Sequence, residues 1–88
     1  MTKPKHVKVY ATATCPYCKM EKQWLDKQNI VHDYVVLDYD EAAAREMVQK
    51  TAQMGVPVTE ITFEGAPTEY VIGFDVPELS RRLSPSTN

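Results

Sequence analysis

Eighty-eight residues suffice for one domain with a modest core, and a single domain over 1–88 is expected. Ten basic side chains against twelve acidic ones leave a net charge of −2, which argues against nucleic acid or an anionic membrane as partner, since both favour a basic surface. The composition, 43% apolar and 25% charged, is that of a globular domain, and no apolar run is long enough for a membrane span or a signal-peptide core, so a cytoplasmic location is expected.

Along the chain, His6–Ala11 alternates Val7 and Val9 on one face with Lys8 on the other, the pattern of a short strand. Pro16 sits where prolines open helices, because the first turn does not need its missing N–H. Tyr17 to about Gln28 is rich in helix formers, with Met20, Trp24 and Leu25 as an apolar stripe and Asn29 as a stop. His32–Leu37 reads as a second strand. Asp38 or Asp40 can cap the next helix, and Asp38 with Glu41 three residues later fits a capping box. That helix runs from Glu41 to about Gln53 with Ala44, Met47, Val48 and Thr51 on one side, and Gly55 ends it. Val58–Phe63 and Glu69–Ile72 form a hairpin around the turn at Glu64-Gly65-Ala66-Pro67. Asp75 and Glu78 offer a capping box for a last helix to about Leu83, with Leu79 and Leu83 on one face, and 84–88 reads as a frayed tail.

The order is β-α-β-α-β-β-α. Two βα units give parallel strands through right-handed crossovers, and the hairpin appends an antiparallel edge. The expected class is therefore α/β, a four-stranded mixed sheet flanked by three helices. A copper-chaperone domain also carries two cysteines after its first strand, but its order is β-α-β-β-α-β, and the helix at 41–53 is in the wrong place for it.

The only two cysteines, Cys15 and Cys18, are two residues apart. A bridge closing so small a loop stabilises by roughly 2 kcal/mol at most before strain is subtracted, so chemistry is the better reason for the pair. Such a pair reads as redox-active, metal-binding or inert. The start of a helix favours the redox reading, because unpaired N–H groups and the macrodipole there favour negative charge, hence the attacking thiolate. Cys15 would attack a substrate disulfide, and Cys18, one turn inward, would attack Cys15 and release the reduced product. Lys19 and Lys22 either add to the positive potential or are simply solvated. His6 and His32 read as strand residues without ligand spacing, so no metal site is expected. Trp24 reads as a helix face packed on the sheet, and Met47 and Met54 as core filling.

Cys15-Pro16-Tyr17-Cys18 opening the first helix, Val56-Pro57 opening the third strand, and Gly73-Phe74-Asp75 before the last helix together resemble the glutaredoxin family over roughly residues 6 to 83. The resemblance implies a thioredoxin-like fold and a thiol–disulfide oxidoreductase that cycles Cys15 and Cys18. It reduces protein or glutathione mixed disulfides and carries no tightly bound cofactor. Pro57 resembles the cis-proline beside the cysteine pair, which turns the Val56 backbone toward a substrate segment. Tyr17 either stacks on a bound peptide or shields Cys18. Glutathione, the implied co-substrate, would be met by Tyr17, Val56, Pro57, Gly73, Phe74 and Asp75.

Three positions depart from the family pattern. Thr12 replaces a basic residue three before the first cysteine, Gly55 replaces the threonine of a Thr-Val-Pro turn, and Phe74 replaces the second glycine of a Gly-Gly pair. Losing one charge-assisted hydrogen bond costs about 1.5–3 kcal/mol, so glutathione binding should be weakened. Gly73-Phe74 resembles the redoxins that draw electrons from thioredoxin reductase and serve ribonucleotide reductase. The reductant is thus either glutathione or thioredoxin reductase, the substrates are disulfide-bearing proteins, with ribonucleotide reductase among the candidates, and a monomer is expected. A metal- or iron–sulfur-binding module using the same thiolates is the other class of function.

Overall fold

The computed structural model of the chain describes residues 4–52 and 55–83. Its elements are β1 (Pro4–Ala11), α1 (Pro16–Lys27), β2 (Asp33–Val36), a 3₁₀ turn (Leu37–Tyr39), α2 (Glu41–Thr51), β3 (Val58–Phe63), β4 (Glu69–Ile72) and α3 (Val76–Leu83). The strands form one sheet in the order β2-β1-β3-β4. Alternation along β1 places Val7 and Val9 on one face and Tyr10 on the other, and all three are buried because both faces are covered. Val7 and Val9 join Ile61 and Val71 from the sheet, Leu25 from α1, and Leu79 and Leu83 from α3. On the opposite face Tyr10 and Val58 pack with Met47 of α2.

Parallel pairing is confined to the first βα unit, where Lys8 to Ala11 lie beside Asp33 to Val36. The second unit does not repeat it. Val58 enters opposite Tyr10, at the C-terminal end of β1, so β3 can only run back along β1 toward Pro4. The hairpin then pairs Val58 with Ile72 and Ile61 with Glu69.

Several ends differ from the sequence reading. β1 starts two residues earlier, and β2 stops at Val36 because Leu37 begins the 3₁₀ turn. The cap of α2 is Asp40, whose Oδ1 accepts the Ala43 N–H at 3.0 Å; Asp38 instead accepts the Ala13 N–H at 3.0 Å. The inward face of α1 is Cys18, Glu21 and Leu25, whereas Met20 is 48% exposed. On α2, Met47 is buried but Val48 faces outward. Asn29 takes the left-handed conformation (φ 59°) just after α1, as its place as a stop requires. At α2 the left-handed residue is Ala52, which caps the helix ahead of Gly55. Gln53, Met54 and the tail lie outside the described residues.

Candidate active site

The C-terminal end of β1, the start of α1, the start of β3 and the end of β4 meet at one end of the sheet. Cys15 is the N-cap of α1 in extended backbone (φ −91°, ψ 109°), and Pro16 follows in the first turn. The cap bond is made by sulfur: the Cys18 N–H donates to Cys15 Sγ at 3.1 Å. Any negative charge on Cys15 therefore meets an amide and the positive end of the helix. Both thiols are free; Cys15 is half-buried, Cys18 fully buried. Burial first, and then the hydrogen bond with Cys15, push the Cys18 thiol up to about 12. The two sulfurs thus differ in access, and the buried one holds its proton firmly. Tyr17, between them in sequence, is 62% exposed.

The loop ahead of Cys15 is tied at two points, by the Cys15 N–H to the Thr12 carbonyl at 3.4 Å and by the Ala13 N–H to Asp38. Opposite it the Val56–Pro57 peptide bond is cis. The Val56 carbonyl oxygen lies 4.0 Å from Cys15 Sγ, and Val56 itself rests on the Tyr10–Met47–Val58 cluster. The Pro57 carbonyl accepts the Gly73 N–H at 2.8 Å, which joins the proline loop to the end of β4. Gly73 has φ +83°, a conformation that a side chain would strain. Phe74 packs against the core under α3, and Asp75 caps that helix by accepting the Glu78 N–H at 3.2 Å. The Glu78 carboxylate turns instead to Arg81 and Arg82, so only half of the expected capping box forms.

Six of the eight site residues chosen from sequence therefore line one end of the sheet: Cys15, Tyr17, Cys18, Val56, Pro57 and Gly73. Phe74 and Asp75 lead away from it into α3. Neither histidine joins the cysteines: His6 pairs with Asp33 at 2.7 Å, and His32 Nδ1 lies 2.9 Å from the Ile30 carbonyl. Lys22 pairs with Asp26 at 3.1 Å on the surface. Among the described residues, no group of three or more His, Cys, Asp or Glu is placed to hold a metal ion.

One buried group escaped the sequence reading. Glu21, one turn beyond Cys18, is fully buried, and the Thr59 hydroxyl donates to its Oε2. Its Oε1 has no hydrogen-bond partner among the described residues. Burial raises the carboxyl to about 7, and the Thr59 bond pulls the other way. The signal was present in the spacing, since positions 18, 21 and 25 share a helical face. In the sequence Glu21 counts only as one of the helix formers between Tyr17 and Gln28.

Thioredoxin-like topology with a paired-thiol helix start defines the class. The glutaredoxin family model matches residues 7–63. An uncharacterised glutaredoxin-like 8.6 kDa protein in the rubredoxin operon of Clostridium pasteurianum is 35% identical over 77 residues, covering 88% of this chain and 96% of its own length. The chain belongs to the glutaredoxin family of redox proteins. The crystal structure of the glutaredoxin from Methanosarcina mazei Go1 is similar at a TM-score of 0.75 and 28% identity, over 89% of this chain and 77% of that one. Methanosarcina acetivorans methanoredoxin shares the fold at a TM-score of 0.79 and 20% identity, over 92% and 86% of the two chains. Among the described residues, no helix is long and apolar enough to cross a membrane.

Proposed function

We propose that this chain is a dithiol thiol–disulfide oxidoreductase of the cytoplasm, acting on disulfide-bearing proteins as a monomer without a resident cofactor. The observation that carries the reading is the asymmetry of the pair: a half-exposed Cys15 capping α1 and a fully buried Cys18 whose thiol holds its proton tightly. In the first step the Cys15 thiolate attacks one sulfur of a substrate disulfide. The substrate's second sulfur leaves as a thiolate, and Cys15 is held in a mixed disulfide. In the second step Cys18 attacks Cys15, the mixed disulfide breaks, and the remaining substrate sulfur leaves reduced. The Val56 carbonyl beside Cys15 supports docking of an extended substrate segment along the Val56–Pro57 loop, with Tyr17 as an exposed aromatic neighbour.

The expected outcome in a disulfide-reduction assay is complete loss with Cys15→Ser. Cys18→Ser should instead halt at the mixed disulfide, visible as an added substrate mass. Undiminished reduction by Cys15→Ser would sink the reading.

A second reading concerns the electron donor. Thr12 offers no cation for a glutathione carboxylate, and Phe74 is taken up by the core. Both favour supply by thioredoxin reductase and service to an enzyme such as ribonucleotide reductase. NADPH consumption is measured with glutathione plus glutathione reductase, and in parallel with thioredoxin reductase. Turnover through thioredoxin reductase alone supports this second reading, and turnover through glutathione alone returns the protein to glutathione-coupled reduction.

A further inference from the structure

Closing the Cys15–Cys18 disulfide requires the Cys18 proton to leave, and water cannot reach that sulfur directly because Cys18 is fully buried. An acceptor inside the protein is needed. The titratable groups that share this interior are few. Cys15 is engaged in the mixed disulfide at that moment. Tyr34 of β2 feels the charges of Cys18, Cys15 and Glu21, and burial pushes its hydroxyl up, so it is no base near neutrality. β3 contributes the neutral Thr59, and α3 contributes Leu79 and Leu83 to the adjoining core. That leaves Glu21.

We propose that Glu21 is the proton acceptor for Cys18 in the resolving step. The proposal rests on the two-step cycle above and adds a residue to it. Three observations carry it. Glu21 and Cys18 are buried on one face of α1 three residues apart, a spacing that puts their Cβ atoms about 5–6 Å from each other. Thr59 holds one carboxyl oxygen, and the other has no partner among the described residues. A glutamate is also a poor choice for packing, because an unpaired buried oxygen is unfavourable and an apolar side chain would avoid it. The carboxyl titrates close to neutrality, where a base can both accept and release a proton.

The step balances as follows. The Cys18 S–H bond breaks and its proton passes to the Glu21 carboxylate. The electron pair left on Cys18 Sγ forms the bond to Cys15 Sγ. The bond from Cys15 to the substrate sulfur breaks, and its electron pair leaves on that sulfur, which takes a proton from solvent. Two cysteine sulfurs are oxidised and the substrate disulfide is reduced.

The test mixes reduced protein with bis(2-hydroxyethyl) disulfide, quenches in acid over a series of times and weighs the products by mass spectrometry. Formation and closure of the mixed disulfide are timed separately across a pH series. In the native protein, closure should accelerate as pH rises through about 7. Glu21→Gln should slow closure at neutral pH by about 10²-fold and lose that inflection, while formation at Cys15 keeps its rate. A purely electrostatic role gives the opposite sign, since removing a negative charge eases ionisation of Cys18; faster closure overturns the proposal. Unchanged closure, the result for a packing role, overturns it as well. Should Glu21→Gln not fold, Thr59→Val carries the test: losing its hydrogen bond must move the inflection of closure to higher pH, and an unmoved inflection overturns the proposal. A native protein that never forms the mixed disulfide defeats the two-step cycle itself, and the proposal with it.

Discussion

A carboxyl group shut away from water holds its proton more firmly in the folded chain than in the unfolded one, so Glu21 couples stability to pH whatever its part in catalysis. Its folded value of about 7 stands above the ordinary 4.5. Between those values the folded state keeps a proton that the unfolded state has released, so stability falls as pH rises. The contribution is full below about 4.5 and gone above about 7, a difference of about 3 kcal/mol at most. Urea unfolding of the native protein and of Glu21→Gln isolates this term. The native protein should lose stability relative to the variant across that window, and the variant should be the more stable on its alkaline side. Parallel pH dependence in the two proteins would mean that the carboxyl is hydrated in solution. The residues of the candidate site that were legible in the sequence are the ones whose type is rare and whose spacing is diagnostic: Cys15, Cys18 and Pro57. Glu21 was not, because burial of a charged residue depends on what the sheet places opposite it, here Thr59, 38 residues away in an element whose pairing the sequence does not state.

Elements were read well where a local rule decides them, and less well where two residues compete for one role. Pro16 after Cys15, and Asp75 three residues before Glu78, mark helix starts by chemistry contained within a few residues, and both starts were placed correctly. Asp38 and Asp40 could each cap α2. The 3₁₀ turn over Leu37–Tyr39 gives the cap to Asp40 and frees Asp38 to hold the Ala13 N–H in the loop before Cys15. These roles predict different outcomes for two similar substitutions. Asp40→Ala should lower stability by about 1 kcal/mol, the usual value of an N-cap, and leave the reaction rate of Cys15 as it was. Asp38→Ala should leave α2 intact and speed hydrogen exchange at the Ala13 amide. Exchange measured by NMR alongside thermal melts separates the two, and equal destabilisation without a change at Ala13 would refute the division of labour. Strand direction was a harder matter. Element order names the crossovers, but only the entry of β3 opposite Tyr10 shows that it runs against β1.

In the whole molecule the sheet separates two layers, and the candidate site draws on both. α1 carries the thiols on the face that it shares with α3, while Val56, beside Cys15, rests on the opposite cluster with Met47 of α2. A second tie between α2 and the sheet is polar. Lys50 donates to the buried Glu60 at 3.1 Å, the Tyr70 hydroxyl donates to the same oxygen at 3.1 Å, and Lys8 lies 3.8 Å from the other one. Hydrogen bonding to Glu60 raises the Lys50 ammonium above its ordinary value, so Lys50 stays charged throughout the working range. Cutting each tie should therefore have a different reach. Lys50→Met removes a charge-assisted bond while Tyr70 and Lys8 continue to serve Glu60, for a loss of about 1–2 kcal/mol. Because that bond lies away from Val56, the rate of mixed-disulfide formation at Cys15 should not change. Met47→Ala removes a buried side chain from the cluster on which Val56 rests, with a loss of about 2–5 kcal/mol from the cavity. It should also slow reduction of protein disulfides more than alkylation of Cys15 by a small reagent, since in the proposed docking only the larger substrate needs the Val56–Pro57 segment held in place. Equal slowing of both reactions would show that α2 supports the thiols themselves, and that the two layers act on the site as one.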